Sequence, residues 1–80
     1  MPKTLGERIR FVRLQQNISQ KDLAKATEIS SVAMYQIESG KYDPRVKHLE
    51  KIADKLNVSM DYLAGRTNEA HWLLELQPVG

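Results

Sequence analysis

The chain has 80 residues, enough for one small domain with a modest core, and its net charge is +2. It contains no cysteine, which excludes disulfides and thiolate metal sites, and its two histidines, His48 and His71, are too far apart in sequence to form a metal-ligand cluster. The absence of a long apolar run or a signal-peptide pattern predicts a soluble cytoplasmic protein without a membrane segment.

The charge is unevenly distributed along the chain. Residues 1–66 carry all twelve Lys and Arg with eight acids, a balance of +4. Residues 67–80 carry only Glu69 and Glu75, a balance of −2. A polyanionic partner therefore suits the first part of the chain, although a charge of this size does not require one.

The first predicted helix begins after Thr4. Glu7 lies three residues beyond Thr4, which is the spacing of a reciprocal capping box. Asn17 tolerates the left-handed conformation that ends a helix, so we expect the helix to end just before it. The apolar residues that recur at helical spacing and predict one buried face are Leu5, Ile9 and Val12.

Residues 19–40 predict two short helices joined by a tight turn. Ser19 caps a helix over about 20–27, and Ser30 caps a second helix over about 31–39. Gly40 supplies the left-handed residue that ends the second helix. Two helices joined by a turn of about 3–4 residues form a helix-turn-helix unit, which docks its second helix in the DNA major groove.

Two further helices are predicted after this unit. Asp43 is expected to cap the fourth helix with Pro44 at its first position, and Asn57 is expected to end it. Ser59 then caps a short fifth helix, which closes at Gly65. The apolar stripe of the fourth helix consists of Val46, Leu49, Ile52, Ala53 and Leu56. The prediction is thus an all-α, five-helix domain over 1–65, followed by a tail over 66–80.

The helix-turn-helix segment resembles the phage-repressor and Cro-like family, also called the XRE family, and the resemblance extends over about 4–65. It implies a compact lambda-repressor-like domain that binds double-stranded DNA. The matching residues in the segment are Ser19-Gln20, Leu23-Ala24, Ile29-Ser30, Ile37-Glu38 and Gly40. Those in the flanks are Leu5-Gly6-Glu7, Ile9, Arg13, Pro44, Leu49, Ile52-Ala53, Leu56, Val58-Ser59 and Tyr62-Leu63.

The second helix of the unit is expected to present an uncharged face to DNA, because Met34 and Ile37 point inward. The resemblance implies that Ser31, Val32 and Gln36 read bases, and helical spacing adds Tyr35 as a candidate. A valine can contact a thymine methyl and a glutamine can pair with adenine, so A·T steps are favoured. The resemblance also implies phosphate contacts, which hold the protein in register on the duplex, from Gln20, Ser39, Lys41 and Arg45.

The resemblance to the family also concerns an ion pair and the conformation of the turn. The family joins its first helix to the end of its third by an Arg–Glu pair, and Arg13 and Glu38 occupy those positions. The family also favours glycine in the turn, where this chain has Glu28. A left-handed Glu28 would be strained, so the turn either tolerates that strain or follows a different path.

The leading functional hypothesis is a repressor that binds an inverted-repeat operator as a homodimer, because one small unit makes too few base contacts to select a genomic site. The candidate surface for a second copy or a protein partner comprises Val58, Met60, Trp72, Leu73, Leu74 and Leu76. The alternatives are a tail that packs on its own domain and an antitoxin-like module whose tail binds a partner protein. No pattern indicates an enzyme, a cofactor or a metal site.

Overall fold

Five α-helices and no strand form the part of the chain that the computed structural model describes, residues 2–66. The all-α, five-helix prediction is confirmed, and both helices of the central unit have the predicted bounds. The tail residues proposed as a partner surface, from Trp72 to Leu76, lie outside the described residues. The helices are α1 Leu5–Gln15, α2 Gln20–Thr27, α3 Ser31–Ser39, α4 Val46–Leu56 and α5 Met60–Leu63.

The core lies where the inner faces of all five helices meet. Helix α3 packs on α1 and α2, whereas α4 packs on α2 and α5. Met34 and Ile37 are buried, as their spacing predicted. The largest fully buried apolar side chains are Ile9, Val12, Leu23, Met34, Ile37, Ile52, Leu56, Val58 and Leu63.

The helix starts follow the predicted capping chemistry in four cases of five. The Thr4 hydroxyl accepts a hydrogen bond from the Glu7 N–H, and the Glu7 carboxylate accepts one from the Thr4 N–H. The capping box is therefore complete. Serine side chains cap α2, α3 and α5. Helix α4 differs, because it begins at Val46 with Arg45 as an N-cap that makes no side-chain hydrogen bond. The expectation that Asp43 caps this helix with Pro44 at its first position was therefore wrong.

One type of helix ending recurs along the chain. Asn17, Glu28 and Asn57 adopt the left-handed conformation, with φ between 57° and 60°. In each case the next residue donates its N–H to a carbonyl five residues back: Ile18 to Arg13, Ile29 to Ala24 and Val58 to Ala53. This bond closes a Schellman motif, whose last residue commonly makes an apolar contact with the helix it ends.

The motif that ends α4 removes one residue from the proposed partner surface. Val58 is the last residue of the motif that ends α4, and its side chain is 0% exposed. Val58 therefore belongs to the core of its own domain and cannot contribute to a surface for a second copy. Met60, two residues later, is half-buried and retains some accessible surface.

Candidate nucleic-acid interface

The outward side of α3 is the best-defined surface of the domain. Its residues Ser31, Val32, Tyr35 and Gln36 are all exposed, and no charged residue lies among them. Val32 is 68% exposed and Tyr35 is 57% exposed, although burial of such side chains would favour folding. Apolar and amide groups on one face of a helix can contact base edges in the major groove.

The turn before α3 fixes the direction in which α3 leaves α2. Glu28 takes the left-handed conformation at φ 60°, which places Ile29 in the core. Of the two expected outcomes for this turn, the chain adopts the left-handed, strained one. Lys51 of α4 donates to the Glu28 carboxylate at 2.9 Å and ties the turn to the rest of the domain.

A buried ion pair holds α1 against the C-terminal end of α3. Arg13 Nε donates to Glu38 Oε2 at 2.8 Å, and Arg13 Nη2 donates to Glu38 Oε1 at 3.0 Å, which makes the pair bidentate. Arg13 Nη1 also donates to the Ile18 carbonyl. Both side chains are more than nine-tenths buried, so these hydrogen bonds compensate for the removal of two charges from water.

The backbones of α1 and α3 also approach each other closely at Gly6. A β-carbon at this position would stand 2.5 Å from the Glu38 carbonyl oxygen and would also overlap the Ile37 carbonyl oxygen. Only glycine fits here without a shift of one helix. Gly6 is one of the residues that carry the family resemblance, and a glycine inside a helix often marks such a close approach, but the sequence does not show which helix it meets.

Gln20 lies at the first turn of α2, beside the buried pair. Its Nε2 donates to Glu38 Oε1 at 3.2 Å, a contact that was not expected from the sequence. An amide nitrogen carries two hydrogens, so the second remains available to an anion. The anchored amide and the positive end of the α2 dipole together suit a phosphate group.

A shallow cleft brings several candidate residues together. Its lining consists of Arg10, Gln20, Tyr35, Glu38 and Ser39. The exposed Arg10 adds a positive charge to this cleft. The Ser39 hydroxyl donates to the Gln36 carbonyl in the free protein, so it must rotate before it can donate to a phosphate.

Lys41 and Arg45 are exposed on either side of the loop that connects α3 to α4. The backbone N–H of Lys41 donates to the Gln36 carbonyl and closes the end of α3. The Lys41 side chain takes no part in this hydrogen bond. Arg45 is the N-cap residue of α4. These two residues are outside the cleft lining, so the candidate phosphate contacts do not form a single cluster.

Two carboxylates have pKa values below the ordinary range. Hydrogen bonds from the backbone N–H groups of Lys3 and Thr4 lower the pKa of Glu7, because they favour its ionised form. The hydrogen bond from Lys51 lowers the pKa of Glu28. Both carboxylates stabilise the fold, since Glu7 completes the cap of α1 and Glu28 joins the turn to α4.

Two other kinds of site are absent from residues 2–66. None of these residues forms a group of three or more His, Asp and Glu that could hold a metal ion. Within the same part of the chain, every helix is too short or too polar to cross a bilayer.

A pair of helices held at a fixed angle, the second with an exposed uncharged face, defines a helix-turn-helix DNA-binding domain. The model of a family described as Helix-turn-helix matches residues 9–63. The chain belongs to this family, in its XRE-type branch of DNA-binding transcriptional regulators.

Known proteins of the family share both sequence and structure with this chain. The HTH-type transcriptional regulator MJ0272 of Methanocaldococcus jannaschii is 37% identical over 57 residues, which cover 71% of this chain and 86% of MJ0272. DicA of Escherichia coli K12 is 38% identical over 75% of this chain, but the match spans only 44% of DicA. The P22 c2 repressor, crystallised with a synthetic operator, has a TM-score of 0.74 and 35% identity; the match covers 78% of this chain and 94% of that one.

Proposed function

We propose that this protein is a sequence-specific regulator, a repressor, that binds an inverted-repeat operator as a homodimer. The observation that carries the proposal is the exposed, uncharged face of α3, with Val32 68% exposed and Gln36 beside it. This composition suits A·T-rich half-sites, because valine contacts thymine methyls and glutamine pairs with adenine. The operator-bound P22 c2 repressor, similar over most of its length, supports the same docking.

The residues divide into two functional groups. Ser31, Val32, Tyr35 and Gln36 read bases from the major groove. Phosphate contacts come from Gln20, Ser39, Lys41 and Arg45, and Arg10 joins them because it lines the same cleft as Gln20 and Ser39. Contacts of the first group specify the sequence, and contacts of the second group set the register of the domain on the duplex.

A homodimer is proposed because one domain offers few base contacts. Two copies related by a two-fold axis would place their α3 helices about 34 Å apart, one turn of DNA. The start of α5 around Met60 is the proposed dimer surface, because Met60 is half-buried in the monomer and its neighbour Asp61 is exposed. Val58 is excluded from this surface by its burial.

Selection of bound duplexes from a randomised DNA pool at near-physiological salt tests the proposal. We expect enrichment of an inverted repeat whose half-sites are rich in A·T steps and about one helical turn apart. Binding without an enriched motif, which disappears as salt rises, would show backbone contact alone and refute the base-reading role of α3. A protein partner of the tail would then become the favoured function.

A further inference from the structure

The outer side of α1 is an unusual surface for a domain of this size. Phe11 is 43% exposed and Leu14 is 50% exposed, and the two are adjacent on the helix. Together with Pro2, Glu7 and Arg10 they line a shallow depression. We refer to these five residues as the α1 groove. None of them has a role in the core, and four of them have no proposed role on DNA.

The described chain ends against α1, next to Arg8. Gly65 lies against the Arg8 guanidinium of α1, since a β-carbon on Gly65 would stand 3.1 Å from Arg8 Nη1. Arg8 and Phe11 are about 60° apart around the helix axis, and Leu14 is about another 60° further on. A chain that continues from residue 66 across α1 therefore meets Arg8, then Phe11, then Leu14.

The following segment has the length and the side chains to fill the groove. Trp72 lies six positions beyond Arg66, a span of at most about 20 Å, whereas α1 is about 16 Å long. Trp72 can thus reach any position along the helix. The segment then supplies Leu73, Leu74 and Leu76, the largest apolar run after residue 66.

The charges of the two surfaces are also complementary. The tail from 67 to 80 carries Glu69 and Glu75 and no Lys or Arg. The groove and its border carry Arg8 and Arg10 against the single acid Glu7, whose carboxylate is already engaged by the backbone at the start of α1.

The size of the groove argues against a second copy as the occupant. The exposed side of α1 measures about 16 Å by 10 Å. A stable dimer buries about 800 Å² on each partner, several times this area. An intramolecular segment needs far less contact, because the chain connection already holds it at a high effective concentration.

We propose that the apolar segment 72–76 docks in the α1 groove of its own chain. Docking covers Phe11 and Leu14 with the Trp72 indole and the leucines that follow it. The glutamates on either side of this segment then lie near Arg8 and Arg10. Docking within the chain is one of the alternatives that the composition of the tail left open, and it does not depend on DNA binding.

The chain itself provides the probes for a test. Trp72 is the only tryptophan and cysteine is absent, so one indole N–H signal reports on the tail and one introduced cysteine carries a nitroxide. The full chain is labelled at Gln15→Cys, exposed at the edge of the groove, or at Lys25→Cys, exposed on α2. We expect the nitroxide at position 15 to broaden the indole signal strongly, and the nitroxide at position 25 to leave it sharp. A sharp signal with the label at position 15 would overturn the proposal.

A mixing experiment separates docking within one chain from docking between copies. A chain with Gln15→Cys, labelled, and Trp72→Phe is mixed with unlabelled wild-type chain. The proposal requires the wild-type indole signal to stay sharp in this mixture. Broadening would show that the tail of one copy occupies the groove of another, which would overturn the intramolecular assignment.

Substitutions in the groove test its contribution. Phe11→Gln with Leu14→Gln keeps good helix formers on an exposed face, so α1 stays folded, as circular dichroism checks. We expect the docking equilibrium constant to fall about tenfold or more, seen as iodide quenching of Trp72 that approaches the value for N-acetyltryptophanamide. The control Val46→Gln changes an apolar residue on α4 that is even more exposed, and it should leave quenching unchanged. Equal quenching in all three proteins would refute the assignment.

Discussion

The two sides of α3 have opposite properties, although their residues alternate along nine positions. The inner side carries Met34, Ile37 and Glu38, all buried, and Glu38 is bound on both oxygens by Arg13. The outer side carries Val32 and Gln36, whose side chains are exposed. The buried side chains that stabilise the fold and the exposed ones that we propose to read bases thus lie on different sides of one helix. Substitutions on one side should therefore leave the property of the other side intact.

The largest effect is expected from the inner side. Glu38→Gln keeps the shape of the side chain but leaves the Arg13 guanidinium buried without a counter-charge. We expect the free energy of unfolding to fall by about 3–5 kcal/mol, measured by urea denaturation. The double variant Arg13→Met with Glu38→Leu removes both charges and should recover much of this loss. A single variant as stable as wild type would show that the pair is not buried in solution.

Gly6→Ala tests the same interface through the backbone. Alanine normally favours a helix over glycine by about 0.5–1 kcal/mol, but here its β-carbon would overlap the carbonyl oxygens of Ile37 and Glu38. Gly6→Ala should therefore destabilise the protein, with a loss of about 1–3 kcal/mol in the free energy of unfolding. Gln15→Ala, at an exposed position of the same helix, is the control and should be nearly neutral. A stabilised Gly6→Ala variant would contradict the close approach of α1 and α3.

Substitutions on the outer side of α3 should weaken DNA binding and leave the stability of the fold nearly unchanged. Gln36→Ala is expected to weaken binding to the selected operator by about 10–100-fold and to relax the preference for adenine at one position of each half-site. Its unfolding free energy should change by less than about 0.5 kcal/mol. Fluorescence anisotropy with matched and substituted duplexes measures the first effect.

Lys41→Ala provides the contrast for Gln36→Ala. It should weaken binding to every duplex alike. The slope of the logarithm of the binding constant against the logarithm of the salt concentration should become smaller by about one. An equal loss on all duplexes for Gln36→Ala would remove it from the base-reading group.

The sequence predicted most of the fold because its signals are local. A capping serine, a left-handed asparagine or glycine and an apolar residue every three or four positions each act within one helix, so they place α2 and α3 correctly. The start of α4 was misplaced for the same reason. Pro44 can begin a helix, but it can equally precede one, and residue-level preference does not distinguish the two.

The misassigned Val58 had a signal that could have been used. An apolar residue directly after a left-handed helix end tends to fold back on that helix, and Ile18, Ile29 and Val58 all do so here. The contact of Gln20 with Glu38 and the overlap at Gly6 had no such local signal. Both join residues at least 18 positions apart, so only the packing of α1, α2 and α3 against one another creates them.

The smallest predicted effect concerns the turn that sets the angle between the two helices. Glu28 is left-handed, which glycine adopts without strain, so Glu28→Gly should raise Tm at neutral pH by about 2–5 °C. The gain is limited because the substitution also removes the hydrogen bond from Lys51, a pair exposed to solvent.

The pH dependence separates the two contributions of Glu28. Lys51 lowers the pKa of the Glu28 carboxyl, so the stabilisation from the pair is present above the ordinary pKa of a glutamate and is lost as pH falls through the lowered value. Glu28→Gly has no such pair to lose. Its advantage in Tm over wild type should therefore be larger at pH 3 than at pH 7. Lys51→Gln removes the pair but keeps the left-handed glutamate, so it should lower Tm at pH 7 and lower it less at pH 3. A Glu28→Gly advantage that is the same at both pH values would show that backbone strain alone sets the stability of the turn.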